Sequence, residues 1–405
     1  MITRKERKYF MQSYEMNLND IKKTIKKLQI PKEYGFKFDI EAVLTHDFSL
    51  IMSIRQDAGK TTQALLLGLV LNYLYGTTTE YMRSDNEQIR QAKIETMYDV
   101  IIQYKYVERL FDKFNTIIYK RNEKKFYLAH VDEKGVIDLE SDKPLCAVHS
   151  LEEWKNLKSS YVNPNGDYLV FDEFMDTSRQ VNRQVIELEH NISTITRYRP
   201  NARVLMLGNN QNKFCFWFEE FEIQKEIESL KFGKSFEKTT ELGTTIYGTL
   251  IDLSLEKKNE IKNRKIRFSG FNTPKMNAFN GLNPWQCEVW KHIPDNEMLK
   301  KEYYIESPIY VYHRNRYILI NLYYKDDLGY YCYLHFSNRP MLKDRIILTL
   351  EPTAENEIYG FGRFCGKDKL YKKIQKIFNI RSSNLFFYES NAVGDLLNQY
   401  IKESI

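Results

Sequence analysis

At 405 residues the chain exceeds one ordinary domain of ~100–200 residues, so two globular units joined by a connector are expected. Hydrophobic residues make up 42% and aromatic residues 14%, enough for packed cores, which excludes a disordered chain. A net charge of +6, from 60 Lys and Arg against 54 Asp and Glu, permits a polyanionic partner without demanding one.

The chain opens on MITRKERKYF, which is basic but has no apolar run or small-residue cleavage site behind it, so no secretory signal is read. Residues 1–40 form an N-terminal basic helical segment, with Ile21, Ile25 and Leu28 at helical spacing. FSLIMSI (48–54) is a buried strand, followed by the helical run TTQALLLGLVLNYLYG, whose last glycine is a natural stop. TEYMRS (79–84) is a second strand, and a helical stretch runs from about Asn86 to Phe111. TIIYKRNEKKFYLAH (116–130) reads as a hairpin, LCAVHS (145–150) and DYLVFDEF (167–174) as strands, 180–196 as a helix and ARVLMLGN (202–209) as another strand. Strands alternating with helices predict a mostly parallel sheet covered on both faces over residues 41–228.

Residues 229–300 read as a linker region with some structure of its own, containing GTTIYGTLIDL and the Pro/Asn/Gly-rich FNTPKMNAFNGLNP. From 301 to 405 three aromatic-rich strands form an antiparallel meander, followed by helical KDKLYKKIQKIF, a strand NLFFYE and a last helix, a smaller α+β unit. No run approaches the ~20 uninterrupted apolar residues of a membrane span, so a membrane-embedded protein is not expected. The five cysteines (Cys146, Cys215, Cys287, Cys332, Cys365) are scattered and odd in number, as for reduced thiols.

Chemistry enters where the first strand runs through Ile54-Arg55-Gln56-Asp57-Ala58-Gly59-Lys60-Thr61-Thr62 into a helix. A strand–loop–helix ending in Gly-Lys-Thr is a phosphate-binding loop in its expected setting. Backbone N–H groups at the helix start hold an anion, and Gly59 allows close approach. Lys60 can reach the β- and γ-phosphates of ATP, and the Thr61 hydroxyl can ligate Mg²⁺. Ile54 stands where GxxxxGK[ST] has its first glycine, and Asp57 puts a negative charge inside the loop. A second piece is Tyr168-Leu169-Val170-Phe171-Asp172-Glu173, an apolar strand finishing in two carboxylates. Buried strands seldom end so without compensation, and a metal ion and a water supply it. Asp172 is then the Mg²⁺ ligand and Glu173 the base that takes a proton from the attacking water. Asn209, ending ARVLMLGN, is either a γ-phosphate sensor or a turn asparagine. Arg197 is either a finger entering a neighbouring subunit's site or a helix C-terminal arginine satisfying the dipole.

Taken in order, GKT, Glu80-Tyr81-Met82-Arg83, YKRNEKKFYL, SLEEWKNLKSS, VFDEF, TRYR and VLMLGNN resemble the DNA-packaging ATPases of small podophages, the phi29-like motor group. The resemblance covers 45–215 well and continues more weakly to the C-terminus. It implies a P-loop ATPase domain of the ASCE/RecA-like type, then a linker and an RNase H-like docking domain that has lost nuclease chemistry. Lys60 and Thr61 fall on the phosphate-loop lysine and hydroxyl, Asp172 and Glu173 on the magnesium carboxylate and catalytic glutamate, and Arg197 on the trans arginine finger. Lys158, after Trp154 in a lid-like segment, falls on a basic residue that also acts across the subunit boundary. Arg83 matches an arginine without assigned role. Ile54 and Asp57 depart from two loop glycines, and the preceding arginine is shifted to Arg55.

The implied partners are double-stranded DNA, a portal and procapsid, further copies of the chain in a ring (a pentamer, by the resemblance) and a structural RNA. The implied location is the host cytoplasm, with transient residence at the portal vertex. Basic runs at 255–267, with six basic residues against two acidic, and 367–376, with five against one, are either solvated helix faces or phosphate contacts. Two other readings remain open on the sequence: a P-loop translocase or helicase of another kind, and a nucleotide-binding scaffold that does not hydrolyse.

Overall fold

The computed structural model describes residues 16–31, 35–53, 59–87, 89–90, 94–153, 163–175, 181–197, 199–209, 215–251, 292–293, 296–305, 308–340, 345–360, 374, 376–377, 380–381 and 385–404. They fall into two compact units, the first drawn from 16–251 and the second from 292–404. Arg55, Gln56, Asp57, Ala58, Ile54, Trp154, Lys158 and the 255–267 run lie outside the described residues, as does most of 367–376.

In the first unit, α1 (Leu18–Lys27) and α2 (Ile40–Thr45) each start on a side-chain cap, Asn17 and Asp39 respectively, which satisfies otherwise orphaned N–H groups. Next come β1 (Phe48–Ser53), α3 (Lys60–Tyr75) and β2 (Thr79–Arg83). Short helices α4 (Asp99–Gln103) and α5 (Tyr106–Leu110) lead to β3 (Thr116–Lys120), β4 (Lys125–Val131), β5 (Ile137–Glu140) and β6 (Cys146–Ser150). Then follow β7 (Tyr168–Asp172), α6 (Val181–Thr196), β8 (Arg203–Asn209), α7 (Phe216–Glu220), α8 (Gln224–Ser229), β9 (Lys234–Thr239) and β10 (Thr245–Leu250). The sheet order is β3-β4-β6-β2-β7-β8-β1-β10-β9, with β5 also on β4. From β6 to β10 every neighbouring pair is parallel, and antiparallel strands close both edges.

Helix α3 is apolar all round, and Leu65, Leu66, Leu67, Leu69, Val70 and Leu71 are buried. It fills the layer between the sheet and α1, α4 and α5, where Ile51, Tyr81, Val148, Tyr168, Val170, Leu205 and Leu207 join it in one core. Each such side chain contributes about 1.5–3 kcal/mol by leaving water. Gly68 allows the close approach to the sheet, because a Cβ there would lie 2.2 Å from Thr79 Oγ1. The parallel α/β sheet of the sequence reading is therefore present, with three differences of boundary. The N-terminal segment is not separate, since Ile21 and Leu28 are fully buried in this core. The long helix expected over 86–111 is realised only as α4 and α5, separated where Lys105 takes a left-handed conformation (φ 56°), while the described residues between 84 and 98 are mostly bends and turns. The linker expected from 229 begins later, because β10 pairs parallel to β1 and β9 folds back on β10.

The second unit holds β11 (Ile309–His313), β12 (Arg316–Lys325), β13 (Gly329–Ser337), β14 (Ile347–Thr349), β15 (Glu357–Tyr359), β16 (Phe386–Tyr388) and α9 (Asn391–Ser404). Its sheet order is β15-β14-β11-β12-β13-β16. The antiparallel meander β11–β13 is as read from the sequence, and β14 and β15 add parallel to its first strand. β16 is added parallel beside β13 at the other edge. One face carries Val311, Ile318, Ile320, Leu322, Cys332 and Leu334, packed on Val393, Leu396, Leu397 and Tyr400 of α9. Met298, from the region read as linker, packs on Tyr323, Tyr331 and Phe387.

Candidate nucleotide site

Sheet order builds the site. β8 lies between β1 and β7, so three parallel strands end side by side at one edge, with Ser53 opposite Asn209 and Asp172 opposite Leu207. In open parallel sheets the carboxyl ends of the strands beside a reversal of strand order form the ligand crevice. From β1 the chain proceeds to β2 on one side, while β10 joins on the other.

Gly59 precedes α3 in a left-handed conformation (φ 71°) and no side chain caps the helix, leaving its first N–H groups available to an anion. Lys60 is buried at 6% exposure, and its ammonium donates to Ser53 Oγ at 2.5 Å and Asn209 Oδ1 at 2.9 Å. Thr61 Oγ1 donates to Asp172 Oδ2 at 2.9 Å. Two adjacent residues at the start of α3 thus bond to the ends of β1, β8 and β7.

The paired acids are held from β2. Asp172 Oδ2 also accepts from Tyr81 Oη at 2.7 Å and Arg83 Nη2 at 3.0 Å, while its Oδ1 accepts the Glu173 N–H at 3.0 Å. Arg83 Nη1 reaches Glu173 Oε2 at 2.7 Å, so one guanidinium bridges both carboxylates, and its Nε donates to Tyr81 Oη at 2.9 Å. Burial alone would lower the Arg83 pKa, but Tyr81, Asp172 and Glu173 outweigh it and raise it, fixing the charge. Burial, then the Asp172 charge, pushes the Tyr81 hydroxyl well above the ordinary tyrosine value, so it stays a proton donor. Glu173 has φ 63°, an unfavourable conformation for a residue with a Cβ. The compensation that the sequence reading assigned to an ion and a water comes here from Arg83, Tyr81 and Thr61. Ser53 and Tyr81 were missed. Ser53 could have been found as the polar end of the apolar run LIM, whereas Tyr81 stands among the polar residues of TEYMR and gives no such signal.

A magnesium ion fits this donor set. Mg²⁺ takes oxygen ligands and is usually held by one or two carboxylates plus substrate phosphates and water. The Asp172 carboxylate and Thr61 hydroxyl, already 2.9 Å apart, are such donors. Among the described residues no group of three or more His, Cys, Asp or Glu could hold a metal without a substrate.

Arg197 is elsewhere. α6 runs back along the sheet and ends at Thr196, and Arg197 follows with φ 49°. Arg199 Nε donates to Asp167 Oδ1 at 2.5 Å, just before β7 begins. Arg197 therefore sits at the starting edge of β7, about 17 Å of strand from the acids at the other end. Its side chain is exposed, and no hydrogen bond or ion pair holds it among the described residues. Arg199 is the opposite case, pinned also to the Asn163 carbonyl at 2.8 Å. No helix among the described residues is long and apolar enough to cross a membrane.

The first unit is thus a mostly parallel α/β sheet in which β8 stands between the lysine strand β1 and the carboxylate strand β7. No family model and no curated protein matches the chain. Among solved structures, the chain is similar to the bacteriophage Phi-29 viral genome packaging motor assembly, at TM-score 0.53 and 16% identity, over 91% of this chain and 99% of that one. The Phi-28 gp11 DNA packaging motor aligns at TM-score 0.47 and 16% identity, over 88% of this chain and 94% of that one. At such identity the likeness is one of fold, and it spans both units of the chain.

Proposed function

We propose that the chain is the ATPase subunit of a ring-shaped motor that drives double-stranded viral DNA through a portal into a procapsid. The observation that carries the ATPase is that Lys60 and Thr61, adjacent at the start of α3, bond respectively to Asn209 and to Asp172, the latter beside Glu173. Packaging is supported by the likeness in fold to a genome packaging motor.

Gly59, Lys60 and the N–H groups of α3 bind the triphosphate, with Arg55, Gln56, Asp57, Ala58 and Thr62 completing the loop. Asp172 and Thr61 hold Mg²⁺, which when bound neutralises phosphate charge. Asn209 orients the attacking water, and Glu173 takes its proton. Glu173, paired with Arg83 at 2.7 Å, exchanges that partner for the attacking water before turnover. Arg197, too far from the acids of its own chain, serves the site of a neighbouring copy, as does Lys158. Contacts to DNA go mainly to phosphates, so binding is indifferent to sequence and weakened by salt.

ATP turnover measured against protein concentration tests this. Glu173→Gln should lose about 10²–10⁴-fold in turnover while still binding ATP. Arg197→Ala should lose about 10³-fold or more. Mixing the two inactive variants should restore part of the activity, because each supplies what the other lacks at their shared boundary. Parental turnover in both variants sinks the site, and no rescue at any ratio sinks the trans role.

A further inference from the structure

Three donors converge on Asp172 Oδ2, and they differ in freedom. Thr61 lies in the first turn of α3, where its hydroxyl is required by the metal in the reading above. Arg83 is shared with Glu173, and its side chain keeps 18% of its surface exposed. Tyr81 has 1% exposure, its ring packed in the core among residues of the sheet and α3, so its hydroxyl cannot swing toward a nucleotide. When metal and nucleotide compete for the other two donors, Tyr81 alone is fixed in place.

We propose that Tyr81 is a positioning residue for metal binding: its hydroxyl, accepting from Arg83 Nε at 2.9 Å and donating to Asp172 Oδ2 at 2.7 Å, holds the carboxylate in the orientation that receives the cation. The inference rests on Asp172 being the metal carboxylate of the proposed ATPase. Tyr81 touches neither substrate nor metal and acts through Asp172. Partners of this kind commonly contribute about 10–100-fold to metal affinity.

The test uses the full chain, Mn²⁺ as a spectroscopically visible probe and a non-hydrolysable ATP analogue. Tyr81→Phe keeps the ring and removes only the hydroxyl. It should weaken Mn²⁺ binding in the presence of the analogue about tenfold, while analogue binding in a chelator and the melting temperature without ligands stay near the parent's. Unchanged Mn²⁺ affinity overturns the proposal. So does an equal loss of analogue binding in the chelator, which marks Tyr81 as merely structural. Asp172→Asn separates the two levels of inference. It should lose Mn²⁺ more completely than Tyr81→Phe, whereas a parent that binds Mn²⁺ no better than Asp172→Asn removes the metal site itself, and this proposal with it.

Discussion

The two sheets handle charge at their strand ends in opposite ways. In the first, Asp172 and Glu173 finish β7 side by side, and Arg83, Tyr81 and Thr61 compensate them through contacts that include exchangeable ones. In the second, β11 ends in His313 and Arg314, and α9 brings Glu403 to them, at 2.9 Å from Arg314 Nη2 and 3.7 Å from His313 Nε2. That pairing ties a hairpin turn to the C-terminal helix. A surplus of acid held by shared donors invites a cation, whereas a matched pair between two elements is only a clasp.

Of the substitutions that set the two sheets apart, loss of the lysine at the start of α3 should have the largest consequence. Lys60→Ala deletes the ammonium that links Ser53 and Asn209 and, in the proposed function, holds the phosphates. ATP turnover should fall by about 10²–10³-fold. Hydrogen exchange across β11–β13, in the other unit, should stay as in the parent. Parental turnover would mean the strand ends are not a site.

Arg83→Ala should come next. It leaves two adjacent carboxylates without their shared cation, and stripping one partner from a buried pair costs several kcal/mol. Because Glu173 keeps 34% of its side-chain surface exposed, a loss of about 2–3 kcal/mol of stability is expected for the first unit. Magnesium with ATP should restore more of the melting temperature in this variant than it adds to the parent, because the added cation replaces the missing one. Equal ligand-induced shifts would contradict that exchange.

Much of the first unit was legible because its strands are short apolar runs ending in unusual residues. FSLIMS before Gly59-Lys60-Thr61, and YLVF before Asp172-Glu173, announce both the strand and the chemistry at its end. Three things were hidden. β9 and β10 were placed in a linker because half-exposed KSFEKT has no apolar run, and only its pairing to β10 makes it a strand. Arg83 and Tyr81 could be seen as polar groups on a strand, but their target lies 89 and 91 residues away on β7, a distance that only sheet order closes. Arg197 and Arg199 look alike in TRYR. One is exposed at the end of α6 and the other is pinned to Asp167, which depends on how the chain turns into β8.

The smallest effect concerns the clasp and is read from pH. Burial, with help from the neighbouring Arg314 charge, lowers the His313 pKa to about 3 from 6.5. The imidazole is therefore neutral in the folded unit throughout the mildly acidic range, although the unfolded chain takes up a proton there. A depressed folded value means that stability is fully present above about pH 6.5 and is lost as pH falls toward 3. Between pH 7.5 and 5 the loss from this one group is about 2 kcal/mol. His313→Gln cannot titrate, so hydrogen exchange in β11 and β12, corrected for the intrinsic rate, should show a weaker acid dependence in the variant by about that amount. The first unit's β7 and β8 should serve as an internal control. If parent and variant lose protection in parallel as the pH falls, the buried histidine is not what makes the clasp acid-sensitive, and the contrast between the two sheets then rests on the carboxylates alone.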